Sequence, residues 1–154
     1  MATPRWLDDD EQAAWRAYRR MNRLLYARLA RDLTRDTGLS DPDYEVLSTL
    51  TEVADHRWRA SELATHLQWS SSRLAHHVGR MERRGLVRRD VAEDDGRGAV
   101  IRLTKVGLRA IERAAPHHVA AVRRHFIDQL TADQLVALRT IGEAIATNLD
   151  VEGP

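Results

Sequence analysis

Ser61-Glu62-Leu63-Ala64-Thr65-His66-Leu67, then Ser70-Ser71-Ser72-Arg73-Leu74, then Met81-Glu82-Arg83-Arg84-Gly85-Leu86-Val87-Arg88-Arg89, closing on Asp95-Gly96-Arg97 and Leu103-Thr104, is the stretch whose reading decides the fold. Ser61 and Ser70 are each placed to cap a short helix, because a serine oxygen can accept from the free amides of the first turn. Gly85 sits where a left-handed residue ends the second of them. Residues 86–90 and 99–103 are short, with β-branched residues and arginines interleaved. Residues 92–98 hold three acids and two glycines, the composition of a hairpin tip. Two helices, a stop and a hairpin are the order of a helix-turn-helix followed by a wing.

The faces of the second helix of this motif carry the chemistry. At 100° per residue, Leu74, Val78 and Met81 share one side, which leaves Ser72, Arg73, His76, Gly79, Arg80 and Arg83 on the other. The outward N-terminal half is small, polar and basic. Its free amides and positive dipole end suit a phosphate, and Ser72, His76, Arg73 and Arg80 have the donors that read base edges or bind phosphate. The candidate DNA contacts are Ser70, Ser71, Ser72, Arg73, His76, His77 and Arg80 on this helix and Arg97 at the wing tip. An arginine on a wing can enter the narrow minor groove, where the negative potential is deepest. Gly79 costs about 1 kcal/mol against alanine inside a helix, so a close approach is expected there. Taken alone, such a face is also what any solvated helix presents.

The flanks are helical. Residues 8–33 repeat apolar positions at three- and four-residue steps (Trp15, Tyr18, Leu25, Leu29), and Gly38 stops the run. Ser40-Asp41-Pro42-Asp43 opens a second helix with Tyr44, Leu47 and Leu50 on its apolar side. The polar break at residues 55–59 has room for one short strand. Thr104 caps a fifth helix, which Pro116 should kink, and Thr131 with Gln134 makes a capping box for a sixth. Leu135, Leu138, Ile141, Ile145 and Leu149 give that sixth helix one apolar stripe. The expected fold is mainly α with a small β-hairpin wing: a winged helix-turn-helix domain over residues 38–104, and a helical dimerisation region over residues 8–37 and 105–150.

Bulk properties agree. The 154-residue chain has a formal net charge of +1. From Trp69 to Lys105, nine basic residues stand against five acidic ones, so the positive charge is concentrated there and the remainder is net negative. A near-neutral protein with a basic centre suits a focused polyanion contact. All but one of the 24 cations are arginine; such a bias also follows from G+C-rich coding DNA. There is no cysteine, which excludes disulfides, thiolate metal sites and thiol redox sensing. No long apolar run or signal-like N-terminus occurs, so a cytoplasmic location without membrane association is expected.

Glu62-Leu63-Ala64, the serine-rich start at Ser70, the run Met81–Val87 and Asp95-x-Arg97…Leu103-Thr104-x-x-Gly107 resemble the MarR family of bacterial transcription regulators. The similarity covers nearly the whole chain. It implies a homodimer in which the first, fifth and sixth helices interlock. It also implies a repressor that binds double-stranded DNA at a palindromic operator and is often released by a small aromatic or anionic effector. The resemblance makes the fourth helix the recognition helix, Arg97 the wing arginine and Asp95 the aspartate that supports the wing. Some relatives bind zinc. Here His117, His118 and His125 lie on the fifth helix, but no set of four ligands converges, so no metal and no cofactor is expected. Trp15, Tyr18, Asn22 and Tyr44 are candidates for lining an effector pocket, although aromatic residues at helical spacing also serve as core.

An alternative is a winged-helix interaction module without DNA binding. Its recognition face should be acidic or apolar, whereas this one carries Arg73, Arg80 and Arg83. An enzyme has no support: there is no cysteine nucleophile, no His-Glu-x-x-His motif and no phosphate-binding glycine-rich loop.

Overall fold

A computed structural model describes residues 4–91 and 98–152. Six helices and three short strands follow one another as α1 (Asp9–Thr37), α2 (Asp41–Thr51), β1 (Arg57–Arg59), α3 (Ala60–His66), α4 (Ser71–Arg83), β2 (Val87–Val91), β3 (Ala99–Leu103), α5 (Lys105–His125) and α6 (Ala132–Glu152). The fold is mainly helical with a small antiparallel sheet of order β1-β3-β2. The chain divides into two compact units. Leu29–Val119 forms one, and the two chain ends, Met1–Arg28 with Ala120–Pro154, form the other.

Local chemistry explains most boundaries of the Leu29–Val119 unit. α1 ends where Gly38 takes φ +73°, and its amide donates back to the Thr34 carbonyl at 2.9 Å. Ser40 then caps α2 reciprocally: its Oγ accepts from the Asp43 amide at 3.3 Å, and the Asp43 carboxylate accepts from the Ser40 amide at 2.9 Å. Ser70 caps α4, accepting from the Arg73 amide at 3.1 Å. α4 closes with two reversed bonds, Gly85 to the Glu82 carbonyl at 2.8 Å and Leu86 to the Met81 carbonyl at 3.0 Å, with Gly85 at φ +72°. This pairing satisfies the last carbonyls of the helix.

α3 departs from the sequence expectation. Arg59, not Ser61, occupies its N-cap position, and no side chain caps it. The cause is the strand before it: β1 pairs with β3 up to Arg59 opposite Val100, and the chain turns directly into the helix from there. The polar break therefore does hold one strand. α5 is continuous in secondary structure from Lys105 through Pro116 to His125.

The wing is joined to α4 and α5 by one packed corner. Thr104 Oγ1 donates to the carbonyls of Gly85 (2.6 Å) and Leu86 (3.0 Å) and accepts from the Gly107 amide at 2.9 Å. A Cβ on Gly107 would stand 2.0 Å from the Leu86 carbonyl oxygen, so only glycine lets the first turn of α5 pass this close. The core of the unit is built from Val46, Leu47 and Leu50 of α2, Leu63 of α3, Leu74, Val78 and Met81 of α4, and Ile101 of β3, all buried. α4 is thereby held along its whole inward stripe, which fixes what its other side presents.

In the unit made of the chain ends, α6 begins with the expected capping box: Thr131 accepts from the Gln134 amide at 3.3 Å, and the Gln134 side chain accepts from the Thr131 amide at 2.9 Å. Trp15 and Tyr18 stack at 5.7 Å between ring centres on α1. No helix among the described residues is long and apolar enough to cross a membrane.

Candidate nucleic-acid interface

α4 and its cap bring the expected residues to one surface. Ser70, Ser71, Ser72, Arg73, His76, Arg80 and Arg83 are all exposed, and Leu74, Val78 and Met81 are buried beneath them. Trp69, the residue before the cap, is also buried, and with Leu74 it occupies the two positions of a hydrophobic staple. The Arg73 guanidinium lies over the Trp69 ring, 4.0 Å from its centre. Such stacking orients the group without consuming its hydrogen-bond donors.

The basic residues of this region sort into two kinds. Arg84 reaches back to Asp43 at 2.6 Å and to the Gly38 carbonyl at 3.2 Å. Arg89 runs from β2 across α4, bonding the Ala75 carbonyl at 2.5 Å and pairing with Glu82 at 3.2 Å. Arg88 and Arg102 flank Asp90, at 3.2 and 2.8 Å, and hold its carboxyl below the ordinary carboxylate range, Arg102 contributing most. These four arginines are structural. Arg73, Arg80 and Arg83 are in no ion pair among the described residues, although Glu45 on α2 feels the charge of Arg73. The local surplus of positive charge is therefore displayed on the outward face of α4. Gly79 meets only the far end of Arg89, 3.5 Å from where a Cβ would stand, which is an ordinary contact. Nothing within the described residues demands glycine there.

His77 does not join the outward face. It is only 5% exposed and points into the unit. The reason is visible in its spacing, three residues after Leu74 and four before Met81, which puts it on the buried stripe. Its Nε2 lies 3.1 Å from the Asp43 carboxylate, off the direction of a good hydrogen bond. Its Nδ1 faces the Arg80 guanidinium at 2.7 Å, and its ring meets Trp69 edge-on at 5.5 Å. Burial pushes the imidazole below its ordinary value of 6.5; Asp43 opposes this, and Arg80 and Arg73 add to it. Burial also pushes the Asp43 carboxyl up, but hydrogen bonds from Arg84 and Ser40 outweigh it and hold the group below 3.8. Sequence reasoning missed Asp43, Trp69, Arg84 and Arg89 as partners of this surface. Only Trp69 left a signal, as an apolar residue directly before a capping serine.

Arg97 and Asp95 lie outside the described residues. A cleft of about 280 Å³ opens beside the start of α4, lined by Arg59, Ser61, Ser71, Leu74, Arg89 and Ile101 among others. The four pocket candidates are split between the units. Trp15 and Tyr18 are half exposed and Asn22 is partly buried on α1. Tyr44 packs on the His118 ring at 4.4 Å within the Leu29–Val119 unit. Burial lowers the pKa of His118 and raises that of Tyr44. No group of three or more potential metal ligands occurs among the described residues.

Comparison with known proteins places this arrangement. No family model matches the chain. AbsC, a MarR family transcriptional regulator from Streptomyces coelicolor, is 46% identical, with 96% of this chain and 99% of that one covered and a TM-score of 0.89. Sco3205, another MarR family regulator from S. coelicolor, solved in complex with DNA, is 40% identical over 96% of this chain and 92% of that one, with a TM-score of 0.90. The HTH-type transcriptional repressor IacR of Pseudomonas putida is 32% identical over 118 residues, 77% of this chain and 69% of that one. With a capped, arginine-bearing helix followed by a hairpin in a three-stranded sheet, and with relatives this similar over nearly its whole length, the chain belongs to the MarR family of transcriptional regulators.

Proposed function

We propose that the protein is a homodimeric, sequence-specific repressor whose α4 enters the major groove of each half of a palindromic operator. The observation that carries this reading is the outward face of α4: Ser71, Ser72, Arg73, His76 and Arg80 exposed together behind a capped N-terminus, while neighbouring arginines are tied to acids. Bonds from these groups to phosphates set register, and bonds to base edges carry specificity. Arg97, supported by Asp95, is assigned to the adjacent minor groove. Sco3205, 40% identical, was solved with DNA bound, which supports the same role here.

Residues 8–37 and 105–150 are assigned to dimerisation and residues 38–104 to DNA binding. α1 exposes Trp15, Tyr18 and Leu24, and α6 exposes Ile141, Ile145 and Leu149 at four-residue steps; apolar residues grouped at a surface suit an interaction site. A small aromatic or anionic effector is assigned as the releasing signal, and a cytoplasmic location follows from the role. The protein has no assigned catalytic residue; the relatives named above are regulators.

The test is binding to duplexes selected by the protein from random DNA. Specific binding to sites with half-site centres about 10 bp apart is expected. Affinity should fall steeply with salt, by about 0.9 in log K per tenfold salt for each phosphate neutralised. Failure to select any duplex at low salt by an intact dimer would remove this reading.

A further inference from the structure

The structure links two of the three outward arginines of α4, Arg80 directly and Arg73 through Trp69, to one buried histidine. Arg80 donates to His77 Nδ1 at 2.7 Å. Arg73 lies on the face of Trp69, whose ring meets His77 at right angles. Behind His77 stands Asp43, 3.1 Å from Nε2 and itself held by Ser40 and Arg84. The charged groups against the imidazole are thus Asp43 from α2 and Arg80 and Arg73 from its own helix, with Arg84 on the far side of Asp43.

The tautomer follows from chemistry. A guanidinium has donors only, so the ring nitrogen facing Arg80 must be the bare one. The hydrogen of the neutral ring then sits on Nε2, toward the Asp43 carboxylate. His77 accepts on its outer side because an acid lies on its inner side. A protonated ring, or the other tautomer, offers Arg80 no acceptor.

We propose that His77 is a positioning residue of the interface: its neutral ring, oriented by Asp43, fixes the aim of the Arg80 guanidinium before DNA arrives. The proposal rests on the reading that α4 contacts DNA. Arginine on a helix surface samples many rotamers, and ordering such a side chain on binding lowers affinity. An acceptor already engaging one of its nitrogens removes part of that cost and leaves the other donors for phosphate or guanine. Trp69 gives Arg73 a comparable support, with the His77 ring packed at right angles to it.

The test is a double-mutant cycle on binding to a duplex the wild-type protein selects from random DNA, each variant first checked for its melting temperature and dimer mass. His77→Phe keeps a ring against Trp69 but has no nitrogen. It is expected to weaken binding roughly threefold to tenfold. In the Arg80→Ala background the same change should have little further effect, because the side chain it positions is gone. His77→Asn carries an amide oxygen near the place of Nδ1 and should recover most of the loss. If His77→Phe does not fold, His77→Leu, which also lacks an acceptor, takes its place in the cycle. A second readout needs no change at His77: the ring ¹⁵N shifts of wild-type protein at neutral pH should report the tautomer with hydrogen on Nε2. Independent, multiplying effects of the two positions, or hydrogen on Nδ1, would overturn the proposal while leaving DNA binding by α4 intact. Failure of the wild type to select any duplex would overturn the reading of α4 and this proposal with it.

Discussion

The two units handle their apolar residues in opposite ways. Within Leu29–Val119, the large aliphatic side chains of α2, α3 and α4 and the inward ones of the sheet are buried almost completely. Within the unit made of the chain ends, Ala121 is the one hydrophobic residue among those described that is buried, whereas Trp15, Tyr18, Met21, Leu24, Tyr26, Ile141, Ile145 and Leu149 are exposed. The first unit is complete as it stands. The second is built of helices whose apolar residues are largely exposed among the described residues. Stability in the first is packing within the unit; in the second, the proposed homodimer would cover the exposed faces and make the winged module one half of a two-fold reader.

The largest expected effect breaks the second unit. Placing charges on the exposed stripe of α6, as Ile141→Glu with Ile145→Glu, should convert the dimer to monomer. A charge buried without a partner in an interface is strongly unfavourable, so dissociation should be visible by light scattering at micromolar concentration. Operator affinity should fall with it. A double variant that remains a tight dimer would move the interface elsewhere.

Gly107→Ala strikes the first unit instead. Its Cβ would press on the Leu86 carbonyl, and overpacking of this kind costs about 1–3 kcal/mol. Thermal unfolding should shift down while dimer mass is unchanged. An unaltered melting temperature would mean that the corner between the wing and α5 yields more easily than its geometry suggests.

A smaller effect comes from pH. The folded value of His77 lies below 6.5, so the unfolded chain takes up a proton that the folded chain refuses. The folded state therefore loses stability as pH falls below about 6.5 and through the lower folded value. Asp43 acts in the same direction in more acid solution: its folded value lies below 3.8, and its contribution is lost as pH falls through it. Denaturant midpoints measured from about pH 8 to about pH 5 should decline, and the decline should be shallower in His77→Asn. Parallel profiles would show that His77 titrates alike in both states.

What the sequence disclosed, and what it hid, follows the range of the interactions. The Thr131 capping box, the Ser70 cap, the Gly38 and Gly85 stops and the inward stripe of α4 are set by residues three or four apart, and all of them are legible; at Ser40 the helix start is legible, and the structure adds the reciprocal cap with Asp43. Ser61 misled because strand pairing to β3, some 40 residues downstream, decides where α3 begins. The salt bridge from Arg84 to Asp43 spans 41 residues, and the arch of Arg89 over α4 depends on how the wing folds back. Neither has a local signature. His77 is a different case: its inward position was available from its spacing to Leu74 and Met81, but a histidine in a basic, serine-rich helix reads first as a contact. The candidate face was legible as a pattern; which of its arginines are displayed, and which are structural ties, depends on tertiary partners.

Whether the outward face of α4 grips DNA is decided by the double variant Arg73→Ala, Arg80→Ala. Affinity for the selected duplex should fall by about 1–3 kcal/mol for each arginine, with dimer mass unchanged and the variant still folded at the assay temperature, since the fold loses only the Arg80 bond to His77 and the Arg73 contact with Trp69. Wild-type affinity in that variant, at the same salt, would contradict the claim.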